Sequence, residues 1–128
     1  MQVFIVEDSP LVRARLVDML ESLPGASVVG EAACADAAIR DILSSRPDLV
    51  LLDMNLAEGS GFDVLNAVHV NAPEIDFCML TNFAAHPYRQ LAGSLGARAV
   101  FDKSREFERV RDLVARRVAN LNNAKETA

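Results

Sequence analysis

Asp48-Leu49-Val50-Leu51-Leu52-Asp53 places four aliphatic residues in a row between two carboxylates. A strand with one wet face alternates apolar and polar residues. An unbroken, branched apolar run of this length instead fits a strand buried on both faces, the setting of a central parallel strand. Similar short runs lie on either side: Val3-Phe4-Ile5-Val6, Phe77-Cys78-Met79-Leu80 and Ala99-Val100-Phe101. Between them the apolar spacing changes to that of helices. Strand and helix alternate five times, which predicts an α/β chain with a doubly wound, five-stranded parallel sheet and helices on both faces.

The helices carry their own punctuation. Ser9 is placed to cap a helix over Ser9–Ser22, with Pro10 at its first turn, where a missing N–H costs nothing. Leu11, Val12, Leu16, Met19, Leu20 and Leu23 recur at helical spacing until Pro24-Gly25 stops the pattern. Ser27–Gly30 reads as a short second strand, and Asp36–Ser45 as a helix closed by Arg46-Pro47. Glu58-Gly59-Ser60-Gly61 is a loop. Helices follow over Phe62–Val70 and Ala84–Leu95, the second ended by Gly96, with a strand over Ile75–Leu80 between them. The last helix spans Arg105 to about Leu121, with Phe107, Val110, Leu113, Val114, Val118 and Leu121 as its apolar stripe. This gives one domain over residues 1–121 and a short polar tail over 122–128.

With 128 residues, 51% hydrophobic and 24% charged, the chain can bury one core and is not of disordered composition. A net charge of −5 leaves no nucleic-acid footprint. Arg105, Arg109, Arg111, Arg116 and Arg117 are interleaved with Glu106, Glu108 and Asp112, the pattern of a solvated helix face. Cys34 and Cys78 have no metal or redox spacing, and Cys78 reads as a small buried hydrophobe. No stretch has the length of a membrane span, and the start runs straight into a strand without a signal-peptide layout, so a cytoplasmic protein is expected. His69 and His86 have no partner pattern and read as surface residues.

The chemistry gathers at the strand ends. Glu7-Asp8, Asp53, Thr81 and Lys103 each follow or close an apolar run. In a parallel sheet these ends share one edge, and ligands bind outside it where the strand order reverses. Three carboxylates, a hydroxyl and an ammonium therefore converge on one pocket. Carboxylates so placed repel one another unless a cation joins them, and a few hard oxygen donors with water completing the shell suit Mg²⁺. A carboxylate beside Mg²⁺ and an ammonium is a candidate phosphoryl acceptor.

Taken in order, Phe4-Ile5-Val6-Glu7-Asp8-Ser9, Asp48–Asp53 with Gly61 beyond it, Met79-Leu80-Thr81 and Phe101-Asp102-Lys103 resemble a receiver domain of the two-component response regulators over about residues 2–120. The resemblance implies a flavodoxin-like (βα)5 fold and a phosphoacceptor switch. Asp53 would attack the phosphorus of a phosphohistidine donor. Asp8 would bind Mg²⁺, with Glu7 in the outer shell and Asn55 giving a backbone carbonyl. Thr81 would hydrogen-bond the phosphoryl group, and Lys103 would pair with Asp53 before transfer and with the phosphoryl group after it. The implied partners are a histidine kinase or histidine phosphotransfer protein and a downstream protein target docked on about residues 84–118, with no nucleic acid and no membrane. The chain would act as a stand-alone signalling protein, not an enzyme beyond its own phosphotransfer and dephosphorylation.

Three positions depart from the family pattern. Val100 stands where an aromatic switch residue is usual, and Phe101 beside it points to the opposite face. Ser104 replaces the usual Pro after the Lys. Asn82 replaces a small residue, and with Phe83 it would shield from water the phosphoryl group that Asn55 and Phe83 flank. These departures leave an alternative class open: an unphosphorylated adaptor on the same fold that binds its partner constitutively. A flavin-binding protein of the same topology is disfavoured, because Glu7-Asp8 would repel a phosphate where such a protein needs a phosphate-cradling loop.

Overall fold

Every apolar run becomes a strand. The computed structural model describes residues 1–82, 86–103 and 106–127, with side chains described throughout except at 86–89 and 122–127. The strands are β1 (Gln2–Val6), β2 (Ser27–Ala32), β3 (Leu49–Asp53), β4 (Asp76–Thr81) and β5 (Ala99–Asp102). They form a parallel sheet in the order β2-β1-β3-β4-β5. All five residues of β3 are buried, as its unbroken apolar sequence requires. Side chains alternate between two cores. Phe4, Val6, Val50, Leu52, Phe77, Met79 and Val100 face one side, and Val3, Ile5, Leu49, Leu51, Cys78 and Leu80 the other. Phe101 packs opposite Val100, the side of Cys78 and Leu80. This is the flavodoxin-like doubly wound arrangement that the alternation predicts.

The helices are α1 (Pro10–Glu21), α2 (Ala35–Ser45), α3 (Gly61–Asn71), α4 (His86–Ser94) and α5 (Phe107–Thr127). Helices α2, α3 and α4 cover the Phe4 face, and α1 and α5 cover the Val3 face. The Ser9 hydroxyl accepts a hydrogen bond from Val12 N, with Pro10 in the first turn. Ser60 and Asp63 form a reciprocal capping box at the start of α3.

Several sequence readings need correction. Helix α5 runs on to Thr127, so the residues read as a polar tail from 122 continue the helix through 127. Leu11 is 74% exposed and Leu121 43%, so neither belongs to the inward stripe. Leu11 sits in the first turn of α1, where its neighbour Val12 makes the core contact instead. His69 is not a simple surface residue: its ring packs beneath Gly96, where an added Cβ would lie 2.8 Å from it. Its Nδ1 is shut off from solvent with no hydrogen-bond partner among the described residues. Gly96 has φ +107°, a conformation that closes α4 and that a side chain would strain. Phe83, Ala84, Ser104 and Arg105 lie outside the described residues, as does the side chain of His86. No described helix is long and apolar enough to cross a membrane.

The amino edge of the sheet is tied by charge. Asp76 accepts hydrogen bonds from Arg98 Nε at 3.0 Å and from Arg117, which joins β4 to α5 and to the approach to β5. Burial pushes the Asp76 carboxyl up, but the hydrogen bonds and charges of Arg117 and Arg98 outweigh it and hold the group below its ordinary range. The folded chain thus gives up this proton more readily than the unfolded one. The stabilisation is present above the ordinary carboxylate pKa and is lost as pH falls through the folded value. Asp76→Asn should cost about 1–2 kcal/mol at pH 7. Urea unfolding should show that deficit shrinking below pH of about 4, where the wild-type group is protonated in the unfolded chain.

Candidate functional site

The strand order reverses between β1 and β3, the two strands that carry Glu7-Asp8 and Asp53. Val6 pairs with Leu52, so Glu7 and Asp53 leave the sheet side by side. Each exit is pinned by a backbone hydrogen bond to a neighbouring strand: Glu7 N to Ala32 O at 2.9 Å, Met54 N to Leu80 O at 3.0 Å, and Lys103 N to Thr81 O at 2.8 Å. The site residues therefore hang from the rigid end of the sheet, not from free loops.

The carboxylates of Glu7, Asp8 and Asp53 each place an oxygen within 4.8 Å of the others. Glu7 is 0% exposed and Asp53 3%, while Asp8 faces solvent. Lys103 enters from the end of β5, with Nζ 3.0 Å from Asp53 Oδ2 and 2.8 Å from Glu7. Glu7 Oε1 takes a hydrogen bond from that ammonium; Oε2 lies equally close in ion-pair contact, yet is buried with no hydrogen bond of its own. Asp53 is held by Asn55 N–H, 3.2 Å from Oδ1. One ammonium faces three carboxylates in a cleft of about 410 Å³, lined also by Ser9, Val12, Arg15, Asn55, Asn82 and Phe107.

The electrostatic consequence falls on Asp53. Burial pushes its carboxyl up most strongly; the Lys103 hydrogen bond and charge pull it down, and the Glu7 charge pushes it up again. The result is a pKa of about 7 in place of the ordinary 3.8. Lys103, though partly buried, is raised by its hydrogen bonds to Glu7 and Asp53 and stays cationic. The donor set, all carboxylate oxygen with one buried oxygen lacking a hydrogen bond, fits a hard divalent cation such as Mg²⁺ and fits no soft metal.

The structure brings together Glu7, Asp8, Asp53, Asn55 and Lys103. Glu7, expected only as an outer-shell group, sits against Lys103 at 2.8 Å. Thr81 is near but recessed. It is 1% exposed, its hydroxyl is 3.8 Å from Met54 Sδ, and it is not among the residues lining the cleft. Val100 is 7% exposed and fixed in the core, so no aromatic ring occupies that position. Sequence reasoning missed Arg13, Arg15 and Phe107. Arg13 Nη1 donates to Glu7 O at 2.8 Å and its Nε lies 3.3 Å from Glu31. The Arg15 guanidinium stacks 4.4 Å above the Phe107 ring. Only the crossing of α1 and α5 beside the cleft pairs these residues, and nothing in their spacing announces it.

The family of response regulator receiver domains matches residues 3–115, and the chain belongs to that family. It is 33% identical over 122 residues to a protein-glutamate methylesterase/protein-glutamine glutaminase of Syntrophus aciditrophicus, covering 88% of this chain and 34% of that protein. It is 33% identical over 84 residues to the DNA-binding transcriptional activator DevR/DosR of Mycobacterium tuberculosis, covering 66% of this chain and 39% of that one. The chain thus spans about a third of the length of such relatives. In fold it is similar to the response regulator domain of Thermotoga maritima CheB, with a TM-score of 0.82 at 21% identity over 94% of each chain.

Two consequences of the geometry are open to measurement. Between pH 3.8 and about 7 the folded chain keeps a proton on Asp53 that the unfolded chain has released, so stability falls as pH rises through that window. Asp53→Asn should therefore stabilise the metal-free protein by on the order of 2 kcal/mol at pH 8 and by almost nothing below pH of about 4, as read by thermal unfolding. Gly61, the first residue of α3, lies against β3, and a Cβ there would collide with the Asp53 carbonyl oxygen. Because backbone cannot yield as a side chain tip can, Gly61→Ala should cost about 2–3 kcal/mol in urea unfolding.

Proposed function

We propose that this receiver domain is a phosphoacceptor switch in two-component or phosphorelay signalling, with Asp53 as the acceptor. The observation that carries this reading is the buried Asp53 carboxylate held 3.0 Å from Lys103 at the reversal of the strand order. Its Oδ would attack the phosphorus of a phosphohistidine. The P–N bond breaks, its electron pair leaves with the imidazole, which takes up a proton, and an acyl phosphate forms on Asp53. Bound Mg²⁺ would supply positive charge to the phosphoryl oxygens and neutralise the acidic cluster; Asp8, Asp53 and the Asn55 backbone carbonyl would hold it, with Glu7 behind them.

Lys103 starts the reaction paired with Asp53 and Glu7. As charge moves onto the phosphoryl group, its ammonium follows, still anchored by Glu7. Thr81 then leaves the Met54 sulfur to hydrogen-bond a phosphoryl oxygen, which pulls the end of β4 toward the site. With Val100 locked in the core, that movement reaches the partner face through the residues after Thr81 and not through a rotating ring. The face proposed for the downstream protein is about residues 84–118, where Leu91 of α4 is 46% exposed. The phosphodonor is a histidine kinase or histidine phosphotransfer protein, and the protein acts in the cytoplasm.

Incubation with phosphoramidate and Mg²⁺ should add one phosphoryl group to the wild type and none to Asp53→Ala, as read by intact mass. Equal labelling of both proteins would remove Asp53 as acceptor. No labelling of either, with any donor, would leave the constitutive adaptor as the better reading.

A further inference from the structure

We propose that Arg15, stacked on Phe107 at the rim of the carboxylate cleft, is the cation that receives the anionic oxygens of the phosphoryl donor. The inference rests on the phosphoacceptor reading and names a group that reading does not use. A phosphoryl donor carries negative charge into a cleft already holding Glu7, Asp8 and Asp53. Lys103 cannot greet it at the rim, because its ammonium is inside, 2.8 Å from Glu7 and 3.0 Å from Asp53. A second cation is needed where the donor first arrives.

Arg15 has the attributes of that cation. It lines the same cleft and faces solvent. Arg13, Arg40, Arg46, Arg98, Arg109 and Arg117 each sit against a carboxylate, whereas among the described residues none pairs with Arg15, Arg111 or Arg116, and of these three Arg15 alone lines the cleft. Its partner is a ring: the guanidinium lies 4.4 Å from the centroid of Phe107. Stacking of this kind restricts the long side chain while leaving the in-plane N–H groups directed outward. A guanidinium so held offers the fork that suits phosphate oxygens. Phe107 comes from α5 and Arg15 from α1, so the stack is built where the two helices flank the site.

The test compares labelling rates of Asp53 below donor saturation, with phosphoramidate and with acetyl phosphate, in Mg²⁺ at low ionic strength. Arg15→Gln should slow both donors about fivefold, the scale of one unit charge at close range in water. Arg15→Lys should recover part of the rate, and Phe107→Leu should lie between wild type and Arg15→Gln. At about 1 M salt the differences should collapse, since charges are then screened within roughly 3 Å. Mg²⁺ alone, titrated by amide chemical shifts, should bind Arg15→Gln more tightly than wild type, because a repelling charge has gone. A merely loosened site would weaken Mg²⁺ binding and labelling together, and that result would overturn the proposal. Unchanged rates in Arg15→Gln would overturn it too, as would a loss confined to one donor, which would mean that Arg15 reads the leaving group. Asp53→Ala in the same assay separates the two ideas: if it is labelled, the acceptor assignment fails, whatever Arg15 does.

Discussion

Three carboxylates share one ammonium at the carboxyl edge of the sheet, and the rest of the site follows from that imbalance. The parallel register of β1 and β3 forces it, because Glu7 and Asp53 must leave the sheet together once Val6 pairs with Leu52. Burial makes it severe, since Glu7 and Asp53 are almost wholly out of water. Lys103 meets two of the three charges, and burial together with the Glu7 charge leaves the Asp53 carboxyl raised to about 7. A site in that condition stabilises whatever positive charge it is given. The chemistry that fits such a site brings a cation and then replaces carboxylate charge with phosphoryl charge.

Rigidity is what keeps the imbalance from relaxing. Loop carboxylates would turn outward to water. Here the strand exits that carry Glu7 and Asp53 are set by backbone hydrogen bonds to neighbouring strand ends, and Gly61 lets α3 press directly on the Asp53 carbonyl. Asn55 N–H then fixes the Asp53 carboxylate itself. The alternating side chains of β1, β3 and β4 fill both cores, so moving an exit residue means moving packed strands. Such arrangements cost stability locally and are tolerated because the surrounding structure over-determines them.

Much of this was legible in the sequence because strand periodicity and strand order are local and topological facts. The unbroken run Leu49–Leu52 announced a doubly buried strand, and the alternation of runs placed Glu7, Asp8, Asp53 and Lys103 on one edge. Ser9-Pro10 marked the start of α1 correctly. What was not legible depends on distances between helices. The Arg15–Phe107 stack joins residues far apart in sequence through the crossing of α1 and α5. His69 looked like a surface residue because its neighbour Gly96 comes from another element. Leu11 and Leu121 fit a helical stripe by spacing, yet both lie exposed. The recess of Thr81 behind Met54 likewise needed three dimensions: sequence gave its register but not which way its hydroxyl turns.

The two edges of the sheet divide stability from function. At the amino edge charge is matched: Asp76 holds Arg98 and Arg117, Arg46 meets Glu74 at 2.9 Å, and Asp48 Oδ2 accepts Gln2 N–H at 2.7 Å. Its acid is pulled down in pKa by its partners. At the carboxyl edge the same residue type is pushed up, because burial and the Glu7 charge outweigh the pull of Lys103. The fold does not decide which edge is which; strand direction only gathers the ends. The side chains placed there decide it, with arginines and carboxylates matched at one end and carboxylates in excess at the other. The matched edge can therefore anchor α5 and the sheet while the mismatched edge changes its charge, and a change of state at Asp53 need not loosen the strands on which it is carried.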